Sequence, residues 1–403
     1  MKNKSVFRYF LTGNKIRIVA YCLLMIGFCF TLQVTTGHAE NAKLPDEPRQ
    51  EGPLEKRATG SGGSWLPIPI FITEPAFGYG LGLALGYIHP AKDNTEAEGV
   101  PPLLTLESNS PDRSGQKPPP TITGVAGGYT QNGTWAASVG HSASWREDTI
   151  RYMAGLAYAD VNSKFYILDK PLGFNLKGFA LYQDLKFRLG SSRFFLGGKL
   201  LLLETESQFN TTVGEDTEIA LGDIDSNNIG VAAAAIFDGR DNVFTPNRGQ
   251  FLQLDVWRYD EGLGGDYNYW NGKFKVLSFH QLHPRLVLGL RLEASGVDGL
   301  APFYAYPWVS MRGIPALRYQ GKSAGMIEAE VRWNIADRWA ILGFTGKGAV
   351  GGDDPSFRTQ DNIFAAGAGA RYFIMRDLGL WLGVDVAQGP EDLYSYITVG
   401  QAW

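Results

Sequence analysis

Arg285-Leu-Val-Leu-Gly-Leu-Arg-Leu-Glu-Ala-Ser295 and Met326-Ile-Glu-Ala-Glu-Val-Arg-Trp333 are the stretches that decide the fold. In the first, Leu286, Leu288, Leu290, Leu292 and Ala294 share one parity, while Arg285, Gly289, Arg291, Glu293 and Ser295 share the other. In the second, Ile327, Ala329, Val331 and Trp333 alternate with Glu328, Glu330 and Arg332. A repeat of two is the strand period. A soluble sandwich would bury the leucine face and wet the other, so these strands alone do not name a membrane.

The same pattern runs outward from them in both directions. Tyr79, Leu81, Leu83, Leu85 and Tyr87 alternate with Gly78, Gly80, Gly82, Ala84 and Gly86. Trp135, Ala137, Val139, Ala143 and Trp145 oppose Thr134, Ser138, Ser142 and Ser144, and His141 falls on the apolar parity without explanation. Phe179, Leu181, Leu185, Phe187 and Leu189 oppose Tyr182, Asp184, Lys186 and Arg188; Leu252, Leu254 and Val256 oppose Gln253, Asp255 and Trp257. The apolar faces continue for the length of the chain with no helix to cover them. A closed barrel in lipid turns them outward and satisfies its backbone internally.

The predicted fold class is therefore all-β, a transmembrane antiparallel β-barrel of about 16 strands, an even number as bacterial barrels require. Strands fall near 65–72, 78–89, 121–130, 133–145, 149–162, 175–189, 193–206 and 226–238. They continue near 249–260, 267–281, 285–297, 323–335, 338–350, 361–374, 378–388 and 393–403. Turns 281–285 and 334–338 mark one end, and loops 210–226, 297–322 and 351–361 the other. The Pro- and Ser-rich insertion 91–120 lands at the short-turn end, unless the proline-bearing segment 65–72 is not a strand.

The 403 residues carry a formal charge of -4, which argues against a nucleic-acid partner. Fifty glycines and 13% aromatics suit a barrel with aromatic girdles. Lys2, Lys4, Arg8, Lys15 and Arg17 precede an apolar run over 18–34, and Gly37-His-Ala39 follows as a small-residue cleavage site. Residues 1–39 read as a secretory signal peptide, with an uncleaved anchor as the alternative. Residues 40–64 read as a disordered linker, and 65–403 as the barrel domain. Cys22 and Cys29 both lie in the leader, so no thiol, disulfide or cysteine metal site is expected in the mature chain.

Met311-Arg312-Gly313-Ile314, in the connector between the two opening strands, resembles the Val-Arg-Gly-Phe/Tyr motif of the BamA/TamA outer-membrane superfamily, the bacterial surface antigens. Three more stretches follow in the family's order. Asp238-Gly-Arg-Asp-Asn-Val-Phe-Thr-Pro-Asn-Arg-Gly249 resembles its turn of Asp, Arg-Asp, Pro and Gly; Gly383-Val-Asp-Val-Ala387 resembles its penultimate strand; Ile397-Thr-Val-Gly-Gln-Ala-Trp403 resembles its ending. The resemblance covers Asp238 to Trp403 and implies a barrel in the bacterial outer membrane, with the motif on a loop folded back into the lumen. It implies insertion or translocation of polypeptide, or handling of lipid. The partners it implies are outer-membrane lipid and lipopolysaccharide, client polypeptides and other envelope proteins. Residues 40–64 have no room for the family's POTRA domains, so a member without them is expected.

No cofactor, metal site or catalytic residue is expected. The chain has no G-x-S-x-G elbow and no H-E-x-x-H, and after the leader its histidines are His89, His141, His280 and His283. Gly140-His-Ser-Ala-Ser144 sets a His beside a Ser, but strand neighbours face opposite ways. The expected polar constellation centres on Arg312, whose planar guanidinium needs a carboxylate. Glu330, Glu328 and Asp385 are the candidates by parity, with Glu330 first because Glu330-Val-Arg332 resembles the family's Glu-x-Arg. Where the family tends to Phe-x-Asp-x-Gly, this chain has Phe344-Thr-Gly-Lys-Gly348. The second expected feature is a weak seam between first and last strands, at Pro67, Pro69, Gly400 and Trp403. A passive solute pore and a non-transporting membrane anchor are the competing readings.

Overall fold

The computed structural model describes residues 63–90, 119–167, 170–213, 217–242, 245–353, 359–375 and 380–399. The expected leader, nearly all of the linker, most of the 91–120 insertion, and Gly400 and Trp403 lie outside them. Sixteen strands form one antiparallel sheet in sequence order. They are β1 (Ser64–Ile72), β2 (Gly80–Ile88), β3 (Ile122–Thr130), β4 (Trp135–Trp145), β5 (Ile150–Ile167) and β6 (Lys170–Arg188). There follow β7 (Phe194–Val213), β8 (Thr217–Asp238), β9 (Gly249–Tyr259), β10 (Tyr269–His283) and β11 (Leu286–Gly299). The last are β12 (Ser323–Asn334), β13 (Trp339–Gly351), β14 (Gln360–Met375), β15 (Leu380–Gln388) and β16 (Leu393–Val399). The sheet curls until β1 and β16 come within contact of each other. Among the described residues no helix is long and apolar enough to cross a membrane.

Side-chain parity explains the curl. Leu81, Leu83, Leu254, Ile327, Val331 and Val384 are exposed on the outer surface, while Asp184, Lys186, Asp255, Glu328, Glu330 and Asp385 are buried within. Exposed leucines in two girdles of aromatics are a hydrocarbon-facing belt. Trp65, Trp145, Trp333 and Trp339 stand near the short-turn end and Tyr79, Tyr129, Trp135 and Trp270 near the long-loop end.

The described residues of the expected loop at 210–226 are instead strand, because β7 and β8 pair from Phe194↔Phe237 to Val213↔Thr217. β5 and β6 are likewise extended, pairing from Ile150↔Phe187 to Ile167↔Lys170. The apolar alternation stops where the strands leave the lipid, but the hydrogen-bond ladder does not depend on it. Outward positions there are polar, such as Glu204 and Glu206, while Leu203, Thr205, Ser207 and Phe209 stay buried on the inner wall. Because 65–72 does form a strand, the 91–120 insertion joins β2 to β3 at the short-turn end.

Candidate functional site

The connector from β11 to β12, residues 300–322, turns back between the strands and fills the lumen. It is itself a small hairpin: Val309 N–H donates to Tyr319 O at 3.2 Å and Gly321 N–H to Pro307 O at 3.0 Å. One side packs Phe303 edge-on against Phe174 and Phe209 of β6 and β7, with ring centroids 5.5 and 5.6 Å apart. The other side puts Val309, Met311, Ile314 and Tyr319 in one cluster with Met326, Val350, Ile363 and Ala365. Gly313 has φ +88, and a Cβ there would lie 3.1 Å from Ala365 Cβ and 3.2 Å from Gly389 N. Only glycine meets both demands.

That turn delivers Arg312 to the inner wall. Its Nη2 lies 3.0 Å from Glu328 Oε1 and 2.7 Å from Glu330 Oε2, and its Nη1 lies 3.0 Å from Asp385 Oδ2. Nε also donates to Glu328 Oε1, at 3.1 Å. Phe344 lies beneath the guanidinium, its ring centroid 3.5 Å from Cζ. The structure thus brings all three candidate carboxylates to Arg312, with Glu328 only 2% and Asp385 0% exposed.

Two more cations balance the site. Arg291 Nη1 donates to Glu328 Oε2 at 3.2 Å, and its Nη2 to the loop carbonyl of Ser310 at 3.1 Å. Arg371 Nη2 donates to Asp385 Oδ2 at 2.8 Å. Arg291 also pairs with Glu293 at 3.0 Å, and Lys275 with Glu293 at 3.3 Å, so four cations face four carboxylates, which is how charge is tolerated out of water. Gly346 occupies the place where the resemblance would put Asp. A Cβ there would meet Met311 Sδ at 2.9 Å and Glu328 Cγ at 3.3 Å, so the missing carboxylate makes room for Met311. Lys347 has the outward parity and is exposed, pointing away from the constellation.

The loop also spans the two edges of the sheet. Gly313 N–H donates to Tyr396 Oη of β16 at 2.9 Å, and Ala316 N–H to Glu74 Oε1, just past β1, at 2.9 Å. Arg318 and Tyr319 both reach Glu391 in the β15–β16 turn. Burial pushes the Glu74 carboxyl up to about 7, against the pull of the Ala316 and Ala76 N–H groups. β1 and β16 share no ladder among the described residues; Ile397 N–H reaches Thr73 Oγ1 at 3.3 Å. Pro67 and Pro69 lie opposite Leu85 and Leu83 in an unbroken register with β2. A ladder that survives two residues without N–H must leave their nitrogens on its other side, facing β16.

At the opposite end Pro246 and Asn247, just before β9, meet the inner wall, where Arg332 Nη2 donates to Pro246 O at 3.2 Å and Asn247 Oδ1 at 2.5 Å. Ser142 is buried on the inner side and His141 stands outside, so that pair makes no dyad. Sequence reasoning missed Arg291, Arg371, Phe344, Glu74, Glu391 and Tyr396. Inward parity was available for Arg291, but nothing local marks Glu74.

No protein-family model and no curated protein matches the chain. Solved barrels do share its fold. BamA from Haemophilus ducreyi lacking POTRA domains 1-3 superposes with TM-score 0.55 and 10% identity, over 84% of this chain and 70% of that one. CdiB from Escherichia coli gives 0.55 and 12% over 89% and 62%, and CdiB from Acinetobacter baumannii gives 0.53 and 12% over 85% and 60%. The chain spans less than two thirds of either CdiB chain.

Proposed function

We propose that this barrel assists the insertion or translocation of polypeptide in the bacterial outer membrane, with Arg312 fastening a plug that keeps the lumen shut. Its partners on this reading are client polypeptides or other envelope proteins, with lipid and lipopolysaccharide around the belt. One juxtaposition carries the proposal: the lumen is filled by residues 300–322, while the β1 and β16 edges meet without a ladder among the described residues. Traffic along the axis is obstructed, while the one strand junction without a ladder among the described residues borders lipid. Such a seam can open sideways at the cost of a few contacts, which fits the role that the BamA/TamA resemblance implies. The plug speaks against a passive pore.

The test is reconstitution of the full chain in liposomes, followed by the folding rate of a urea-unfolded eight-stranded barrel added from outside. Acceleration over protein-free liposomes, abolished by a disulfide between β1 and β16, is the expected result. Equal rates with and without the protein, or activity that survives the lock, would defeat the proposal. Large steady ohmic conductance in planar bilayers would favour the pore instead.

A further inference from the structure

We infer that the outer surface of β2–β4 at the short-turn end binds the phosphate headgroup of a membrane phospholipid between His89 and His141. Thr123 Oγ1 lies 2.8 Å from His89 Nε2 and 2.9 Å from His141 Nδ1, a three-residue polar chain across three neighbouring strands. Tyr87, Thr123 and His141 stand in cross-strand register, and His89 N–H continues the ladder to Thr121 O at 2.9 Å. Parity therefore places all three side chains on the face that carries Leu81, Leu83, Val125 and Val139. Polar groups in that belt are costly unless they are partnered.

The chain of hydrogen bonds satisfies only its inner atoms. One hydroxyl donates once, so with both rings neutral one imidazole donates to Thr123 and the other accepts from it. The outer nitrogens, His89 Nδ1 and His141 Nε2, then present one N–H and one bare acceptor, and neither has a further partner among the described residues.

The depth is right for a headgroup. Tyr87 packs against His89 at 4.9 Å and Trp65 against Tyr87 at 5.1 Å, while Trp145 stacks on Tyr152 at 5.7 Å on the other flank. Trp and Tyr collect at the level of lipid phosphates. A phosphodiester there would accept from the outer imidazole N–H while its acyl chains lie along Leu81, Leu83 and Val125. Trp65 belongs to the edge strand, so the bound lipid would border the seam. The inference requires only that the barrel sit in a bilayer, and not that it move polypeptide.

Native mass spectrometry of the detergent-purified full chain tests it, with phosphatidylglycerol as ligand and diacylglycerol of the same acyl chains as control. Wild type should prefer the phospholipid, and His89→Leu/His141→Leu should lose about tenfold in that affinity, as for hydrogen bonds to a charged group. Diacylglycerol binding should not change. Thr123→Val, which keeps both imidazoles, should retain the preference and guards against a folding defect in the double variant. Equal phosphatidylglycerol binding by wild type and the double variant overturns the inference. So does displacement of the lipid by inorganic phosphate, which would make the site one for a free anion.

Discussion

Replacing Arg312 with alanine removes the one cation that touches Glu328, Glu330 and Asp385 together. Glu328 keeps Arg291 and Asp385 keeps Arg371, but Glu330 loses its ion-pair partner while remaining buried. Breaking a buried pair by deleting one member costs roughly 3–5 kcal/mol. The barrel's ladders do not pass through residue 312, so the cost falls on the seated loop. With the loop displaced, water reaches the carboxylates and the penalty largely disappears. The ratio of seated to displaced loop should therefore fall by roughly two to four orders of magnitude. Trypsin cleavage after Arg318 and Lys322 should become fast in the variant, and single-channel recordings should show larger, longer openings. Arg312→Ala/Glu330→Gln, which removes the stranded charge, should recover part of the protection. Protection and gating in Arg312→Ala equal to wild type would refute the reasoning, as would a double variant no better than the single one.

Three further outcomes follow from the same geometry. Glu74 titrates at about 7 in the fold against 4.5 unhindered, so the buried, loop-seated state is favoured fully below about pH 4.5 and loses that stability as pH rises through about 7, because burying the charge outweighs its stronger hydrogen bond from Ala316; channel flicker should grow from pH 6 to pH 8.5, and Glu74→Gln should flatten that profile. Gly346→Asp would push on Met311 Sδ and Ile327 O, 2.9 and 3.1 Å from its new Cβ, and add a further carboxylate; overpacking of about 1–3 kcal/mol should lower the unfolding temperature in detergent, and an unchanged temperature would count against the packing argument. Pro67→Val/Pro69→Val restores two donors on the side facing β16, and should raise cross-linking between the edges while slowing client insertion; faster insertion would contradict the weak-seam reading.

The sequence determined the barrel by itself because parity is a local property. Leu286 to Leu292 at every second position, repeated in strand after strand, can be hidden only by a partner sheet or by lipid, and the chain offers no partner. Parity also placed Glu328, Glu330 and Asp385 on the wall that Arg312 would face. It failed at 210–226, where the strands have left the lipid and the ladder no longer needs leucines to continue. Only the tertiary structure decided how the lumen is filled and how the edges meet. Arg312 meets Asp385 at a sequence separation of 73 and Ala316 meets Glu74 at one of 242, distances over which no sequence period carries information. Those contacts exist because a nearly closed cylinder brings its first and last strands together and gives a returning loop all its walls at once.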